Sequence, residues 1–254
     1  MENDKITAEW ARKTANEILG VKVKTQIEQC LKAIEGAVSR NELNTSIIKD
    51  IKEDISGVFD SNSRKDNDSY KAVPIPERLK KSERIAILTD DKTEDLEFFY
   101  PYYRFNEEGY ETDVITIKGG AFQGKHGIGL KNSKSIDEVN SQNYDVLYLP
   151  GGKAPQKLRE NEKVLNFVRS FVSTNKIIAA ICHGPQILIS AEVVKGKKIS
   201  AAHDIKEELE KAGAIFIDEA LQEDGQFITA RKPGDLHRHL HGVLKYLKDK
   251  NQKK

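Results

Sequence analysis

The sequence predicts an α/β protein with a doubly wound parallel sheet that is sandwiched by helices and preceded by a small all-α module. From residue 84 onward, short apolar runs alternate with helical patterns, the order that gives parallel strands joined by helices. Residues 5–59 instead place apolar side chains three and four positions apart, as on one face of a helix. A polar segment interrupted by prolines separates the two patterns.

The first 59 residues are predicted to form a helical N-terminal module. Their apolar residues fall into short amphipathic runs, one of them from Val23 to Val38. Short amphipathic helices must bury their apolar faces against one another or against another surface. We therefore expect residues 1–59 to serve in docking a partner or in dimerisation. Cys30 lies in an apolar stripe, where a buried structural thiol is the simpler interpretation.

Three further segments follow this module. Residues 60–83 are predicted to be a linker, because charged residues and prolines break every apolar pattern there. The α/β domain is expected over residues 84–247, and residues 248–254 form a charged tail.

The order of elements within the domain follows from the same patterns. Central strands are predicted at 84–89, 111–117, 144–149 and 176–181, and edge strands at 214–217 and 226–230. Helices are predicted at 95–109, 155–174, 185–191 and 204–213, and Pro233 is expected to open a closing helix.

The composition argues against two kinds of partner. Lys and Arg number 41 against 40 Asp and Glu, so the net charge of +1 does not favour nucleic acid or an anionic membrane. No apolar run approaches the roughly 18 residues that span a bilayer, and the first ten residues lack the apolar core of a signal peptide. The two cysteines are expected as free thiols in a reducing cytoplasm rather than as a disulfide.

Chemically active residues follow three of the predicted strands. Glu94 comes after the first strand, at the start of a helix, and Gly151 and Gly152 follow the strand at 144–149. Cys182 and His183 follow the strand at 176–181. In open α/β sheets the ligand lies beyond the carboxyl ends of the strands, so the sequence predicts a site at this edge.

The segment around Cys182 has the pattern of a nucleophile elbow. Gly184 permits a tight turn, and Pro185 suits the first turn of the next helix. A thiol at this position is expected to have a pKa below the value of about 8.5 of a free cysteine. The alternative is a buried structural cysteine that ends a strand.

Four segments together resemble the ThiJ/PfpI (intracellular protease I) family. They are AICHGPQILISA, LPGGKAPQKLR, TEDLEFFYPYYRFNEEGYE and GKHGIGLK, and the resemblance covers about residues 84–247. It implies a flavodoxin-like sandwich, a cysteine nucleophile and a homo-oligomer.

The resemblance also implies roles for individual residues. Cys182 matches the family nucleophile, and His183 matches the histidine that follows it. Glu94 matches the acid whose carboxyl group contacts the thiol. Gly151 and Gly152 match the glycines whose amides would face a developing oxyanion, where His183 would also help to bind substrate.

Three further positions are accessory candidates. Arg231 matches a family arginine and is expected to hold the corner of the chain around it. Gln156 stands where relatives carry an acid that reaches the histidine from a neighbouring subunit. Ala202 and His203 stand where relatives place a tyrosine, and His203 could line the site. Both departures argue against peptide hydrolysis, because a neutral amide cannot stabilise a charged imidazole as a carboxylate would.

The remaining histidines do not predict a metal site. His237 and His241 share a helical face, but no third ligand is spaced to complete a set, so a solvated face is the simpler interpretation. His126 is expected on a hairpin in a structural role. No nucleotide-binding motif is present in the sequence, and we expect neither a cofactor nor a metal.

Two classes of function remain. The first is a Cys182-dependent hydrolase that attacks a carbonyl group, either in a reactive aldehyde such as methylglyoxal and its protein adducts or in a peptide bond. The second is a non-enzymatic stress protein, redox-sensing or chaperone-like, that uses Cys182 as an oxidisable thiol. Catalytic turnover would distinguish the two.

Overall fold

A computed structural model describes residues 70–252, with side chains up to residue 249. The predicted module at residues 1–59 and Cys30 lie outside the described residues. The strands are β1 (Arg84–Leu88), β2 (Glu111–Thr116), β3 (Phe122–Gln123), β4 (Gly129–Leu130), β5 (Lys134–Ser135), β6 (Val146–Leu149), β7 (Ile177–Ile181), β8 (Lys198–Ile199), β9 (Ile215–Phe216), β10 (Gln222–Asp224) and β11 (Phe227–Ala230). The helices are α1 (Asp95–Glu107), α2 (Ala154–Leu158), α3 (Glu162–Val172), α4 (Pro185–Ser190), α5 (Lys206–Lys211) and α6 (Leu236–Gln252). None of these described helices is long and apolar enough to cross a membrane.

The main sheet has seven strands in the order β10-β11-β7-β6-β1-β2-β5. Neighbouring strands are parallel, except that β10 runs antiparallel to β11 at one edge. The strand order reverses between β1 and β6, because β2 lies on one side of β1 and β6 on the other. The loops after β1 and β6 therefore diverge at the carboxyl edge and leave a crevice there. This arrangement confirms the predicted doubly wound, flavodoxin-like sheet.

Helices cover both faces of the sheet, and the strand sequences explain why. Successive side chains of a strand point to opposite faces. In β1, Ile85 and Ile87 belong to the apolar cluster formed with α1 and α6. Ala86 and Leu88 belong to the cluster formed with α2, α3, α4 and α5. All four are fully buried, as the continuous apolar run predicts.

Two predicted elements differ from the structure. The helix expected over 155–174 is divided into α2 and α3, because Asn161 caps α3 by accepting hydrogen bonds from the amides of Lys163 and Val164. The edge strand expected at 214–217 is β9, which pairs with β8 in a separate two-stranded sheet. The antiparallel edge of the main sheet is formed by β10 instead.

Part of the segment predicted as a linker lies along α1. The Tyr103 hydroxyl donates a 2.7 Å hydrogen bond to the Tyr70 carbonyl oxygen, and the Ala72 amide donates a 3.0 Å bond to the Tyr102 hydroxyl. A short 3-10 turn follows at Glu77–Leu79. These contacts hold the start of the described chain against α1, before the chain reaches β1.

One histidine of the closing helix is buried in the core. His239 is fully buried, and its Nε2 atom donates a 2.9 Å hydrogen bond to the carbonyl oxygen of Ile228. Its Nδ1 atom lies 3.4 Å from the hydroxyl group of Tyr148. Burial lowers the pKa of His239 to about 4, so the ring is neutral. His237 and His241 are exposed on the opposite side of α6.

Replacing His239 by Gln is predicted to reduce the loss of stability in acid. The folded-state pKa of about 4 lies below the value of 6.5 in the unfolded chain, so the unfolded chain binds the proton first as the pH falls. Stability present above pH 6.5 is therefore lost toward pH 4, by about 3 kcal/mol for this group. Urea unfolding at neutral pH and in acid would show a smaller loss for His239→Gln than for the wild type. The exposed His241→Gln is the control, and equal losses in the wild type and His239→Gln would contradict the prediction.

Candidate active site

Cys182 lies on a sharp turn between β7 and α4. Its φ angle of 60° is in the left-handed region, which is rare and strained for a residue with a side chain. Hydrogen bonds hold this conformation from both sides, from the Cys182 amide to Ala230 (3.1 Å) and from the Ala202 amide to Cys182 (2.9 Å). A Cβ atom at Gly184 would lie 2.2 Å from the carbonyl oxygen of Leu149, so only glycine fits beneath the turn. The strand-to-helix elbow expected at Cys182 is present.

The carboxyl group beside the thiol belongs to Glu97. Glu97 is fully buried on α1, accepts a 2.8 Å hydrogen bond from the Gly151 amide, and forms a hydrogen bond with the Cys182 thiol. The family resemblance predicts Glu94 in this position, and that prediction is wrong by about one helical turn. The helical phase does not separate the two acids, since Glu94 lies four and eight positions before the buried Phe98 and Tyr102, just as Glu97 lies before the buried Pro101 and Phe105.

Glu94 precedes the first turn of α1 and faces the β3–β4 hairpin instead. Its carboxylate lies 3.2 Å from the Lys125 ammonium group and 3.5 Å from Nε2 of His126. The neighbouring Asp95 accepts hydrogen bonds from the amides of His126 (2.8 Å) and Ile128 (3.3 Å). Glu94 and Asp95 thus fix the hairpin that was predicted to carry His126.

The backbone amides that face the sulfur belong to Gly152 and His183, both of which form hydrogen bonds with Cys182. The Gly151 amide, expected to face an oxyanion, is instead bonded to Glu97. A Cβ atom at Gly151 would lie 2.6 Å from the Glu97 carboxyl oxygen, so glycine allows this close approach. The oxyanion-stabilising role predicted for Gly151 and Gly152 therefore fits Gly152 and His183 better.

His183 connects the thiol to a carboxylate of the same chain. Its Nδ1 atom lies 3.2 Å from the Cys182 sulfur, and its Nε2 atom lies 2.9 Å from Oδ2 of Asp204. A carboxylate only accepts hydrogen bonds, so Nε2 carries the proton and Nδ1 of the neutral ring is left to accept from the thiol. Asp204 lies in the 3-10 turn His203–Ile205 and carries no sequence motif that predicts this contact.

The three accessory candidates have different surroundings in the described part of the chain. Gln156 is exposed near the start of α2. His203 is exposed and packs edge-on against the ring of Phe216, with 5.9 Å between centroids. Arg231 binds Asp218 and Asp235 and so holds the corner after β11, as the resemblance implies. In the described part of the chain, no group of three or more His, Cys, Asp or Glu side chains could hold a metal ion.

Comparison with known proteins identifies the family. Residues 83–245 match the family model described as DJ-1/PfpI. The chain belongs to the DJ-1/PfpI family. It is similar to Deglycase PfpI of Pyrococcus furiosus, with 41% identity over 165 residues that cover 65% of this chain and 99% of the relative. It is also similar to YraA of Bacillus subtilis, named as a proposed cysteine protease, with 36% identity over 168 residues that cover 66% and 99%.

A solved DJ-1/PfpI structure has the same fold over the domain. It is a two-domain protein of Anabaena variabilis that contains DJ-1/ThiJ/PfpI-like and ferritin-like domains. The TM-score is 0.64 at 34% identity, and the match covers 65% of this chain and 48% of that protein.

In this DJ-1/PfpI domain, Glu97 and Cys182 compete for ionisation. Burial raises the pKa of Glu97 to about 7. Burial and the negative charge of Glu97 raise the pKa of the Cys182 thiol to about 12, although the amides of Gly152 and His183 oppose this rise. The predicted lowering of the thiol pKa is therefore contradicted. At pH values between the pKa of Glu97 and the pKa of Cys182, the pair keeps one proton. The thiol becomes nucleophilic when this proton moves from the sulfur to a neighbouring base.

Replacing Glu97 by Gln is predicted to change how the alkylation rate of Cys182 depends on pH. In a Cys30→Ser background, the wild-type rate with iodoacetamide should rise through about pH 7, as the Glu97 carboxylate becomes available to accept the thiol proton. The Glu97→Gln variant should lose this rise in rate, and its Cys182 should be alkylated only at higher pH. Glu94→Gln is the matched control and should keep the step. A step that persists unchanged in Glu97→Gln would show that His183, not Glu97, accepts the proton.

Proposed function

We propose that the protein is a Cys182-dependent hydrolase that acts on reactive aldehydes such as methylglyoxal and on their adducts with amines. The observation that carries this proposal is the convergence of two proton acceptors on one sulfur, Glu97 beneath it and His183 beside it. A Pyrococcus furiosus relative named as a deglycase supports the same class of reaction. The predicted stress role, cytoplasmic location and homo-oligomer belong to this proposal.

The first step is attack by the sulfur on the carbonyl carbon. A carbon–sulfur bond forms, the carbonyl π bond breaks, and the thiol proton passes to Glu97. A base with a pKa of about 7 is suited to this transfer near neutral pH. The amides of Gly152 and His183, which face the sulfur, would stabilise the negative charge that develops on the carbonyl oxygen.

The later steps differ between substrates. For an adduct in which an amine is bonded to the former aldehyde carbon, the thiol proton passes to His183 and from there to the nitrogen, while Asp204 stabilises the charged imidazole. The carbon–nitrogen bond breaks, the amine leaves, and the sulfur bonds to that carbon in its place, which gives the same sulfur adduct as the free aldehyde. For a free 2-oxoaldehyde, the hydrogen on the sulfur-bearing carbon moves to the neighbouring carbonyl carbon, which gives a 2-hydroxy thioester. Water then cleaves the thioester, which releases a 2-hydroxy acid and restores the thiol.

Peptide hydrolysis is a second candidate, and one observation favours it. The sequence disfavours peptide hydrolysis because Gln156 replaces an acid that would support the histidine. Asp204 of the same chain provides a carboxylate at His183, at 2.9 Å, so the means to protonate a leaving amine are present. The Bacillus subtilis relative named as a proposed cysteine protease is consistent with this second candidate.

Asp204→Asn is predicted to separate these reactions. It should lower kcat/KM for an amine-releasing substrate, either a methylglyoxal-modified lysine or a peptide, by about ten- to a hundredfold, the range of general acid catalysis. Conversion of free methylglyoxal expels no amine and should fall by no more than about threefold. Cys182→Ser should abolish every reaction.

The control is Glu207→Ala, which removes an exposed carboxylate of α5 that contacts Lys211, and it should leave all rates unchanged. Persistent turnover in Cys182→Ser would overturn the proposal, as would stoichiometric oxidation of Cys182 without any turnover, which fits a redox-sensing protein. Equal losses on both substrate classes in Asp204→Asn would contradict the role of Asp204 in releasing the amine. A gain in peptide turnover in Gln156→Glu would indicate that residue 156 of a second subunit reaches His183.

A further inference from the structure

Two side-chain contacts, one helical turn apart, join the segment around α4 to the segment around α5. The first is the contact of His183 with Asp204 at 2.9 Å. The second is the 3.2 Å hydrogen bond from Nε2 of Gln186 to Oε2 of Glu208. Spacings of three and four residues place side chains on the same face of a helical segment. The two contacts therefore fix the same pair of surfaces.

The first contact is poorly fixed by its own surroundings. The Asp204 side chain is 69% exposed and pairs with His183. An exposed ion pair gains little energy in water, and holding two side chains in one geometry costs conformational entropy. A reliable His183–Asp204 distance therefore requires that the backbone carrying Asp204 is held by something else.

The second contact is held firmly. Arg159, at the end of α2, donates through its terminal nitrogen to Oε1 of Glu208 and through Nε to the hydroxyl group of Ser190, at 2.8 Å. Gln186 is buried, and its amide nitrogen Nε2 donates to Glu208. Its Oε1 atom has no hydrogen-bond partner among the described residues, so the contact with Glu208 is the one that holds this amide. Glu208 is thus fixed from α2 and from α4 at once. The hydrogen bond from Arg159 lowers the pKa of Glu208 and keeps it ionised.

We propose that Glu208, held by Arg159 and Gln186, is a positioning residue that keeps Asp204 against His183. Glu208 lies four residues after Asp204, so fixing it fixes the start of α5 and the 3-10 turn before it. This inference rests on the proposed function, because it assumes that the His183–Asp204 contact takes part in releasing the amine. Glu208 acts only through Asp204 and has no contact with the thiol.

A double-mutant cycle tests the inference. Glu208→Ala should lower kcat/KM for a methylglyoxal-modified lysine substrate by about tenfold, change free methylglyoxal turnover by less than about threefold, and leave Cys182 alkylation unchanged. In an Asp204→Asn background, Glu208→Ala should cause no further loss. Glu207→Ala is the matched control, since Glu207 lies on the same helix, is 85% exposed and contacts Lys211. It should behave as the wild type.

Three outcomes would overturn the inference. The fold losses in kcat/KM from Glu208→Ala and Asp204→Asn could multiply in the double mutant, which would mean that the two residues act independently. Glu208→Ala could leave the amine-releasing reaction unchanged, or could lower both reactions equally, as a general loss of folded protein would. If Glu208→Ala does not fold, Glu208→Gln gives the same comparison, because an amide can still bond to Gln186 without the charge that binds Arg159. A normal Asp204→Asn enzyme would overturn the proposed role of Asp204 itself, which distinguishes that failure from the failure of Glu208 alone.

Discussion

The buried contact between the Glu97 carboxyl group and the Cys182 thiol is the interaction on which the candidate site depends. Two acidic groups in contact at a largely buried site resist carrying two negative charges, so they share one proton over a wide pH range. The contact is possible because Gly151 has no side chain to separate the two groups and because its amide binds the carboxyl group. Any change that moves α1 relative to the elbow would alter the protonation of the nucleophile.

The fold positions both partners of this contact, Glu97 on α1 and Cys182 at the end of β7. The apolar face of α1, which includes Phe98 and Phe105, packs on the sheet and carries Glu97 into the crevice between β1 and β6. On the other side, β7 ends in the strained turn that holds Cys182, between its hydrogen bonds to Ala230 and Ala202. The strain is stored in a turn fixed by its neighbours, which is where a preorganised nucleophile is expected.

The sheet and the elbow were predictable from the sequence because their signals are local. Continuous apolar runs and the Cys182–Pro185 turn identify a buried strand followed by a helix without any long-range information. The acid at the thiol was not found, because Glu94 and Glu97 lie three residues apart, both precede buried residues of α1 at helical spacing, and only tertiary packing distinguishes them. Asp204 was also missed, since its contact with His183 joins residues 21 positions apart and depends on how α5 packs. The raised pKa of the thiol has the same origin, because burial and the charge of Glu97 are tertiary effects.

The central claim is that Glu97 ionises near neutral pH and that its ionisation sets the onset of Cys182 reactivity. Infrared spectroscopy can follow the carbonyl band of the protonated Glu97 carboxyl group, identified by its absence in Glu97→Gln. The account predicts that this band disappears with a midpoint at about pH 7, the same midpoint at which Cys182 alkylation accelerates in the same protein. A band that is lost near the value of about 4.5 of an ordinary glutamate, or at a midpoint separate from that of alkylation, would contradict the account.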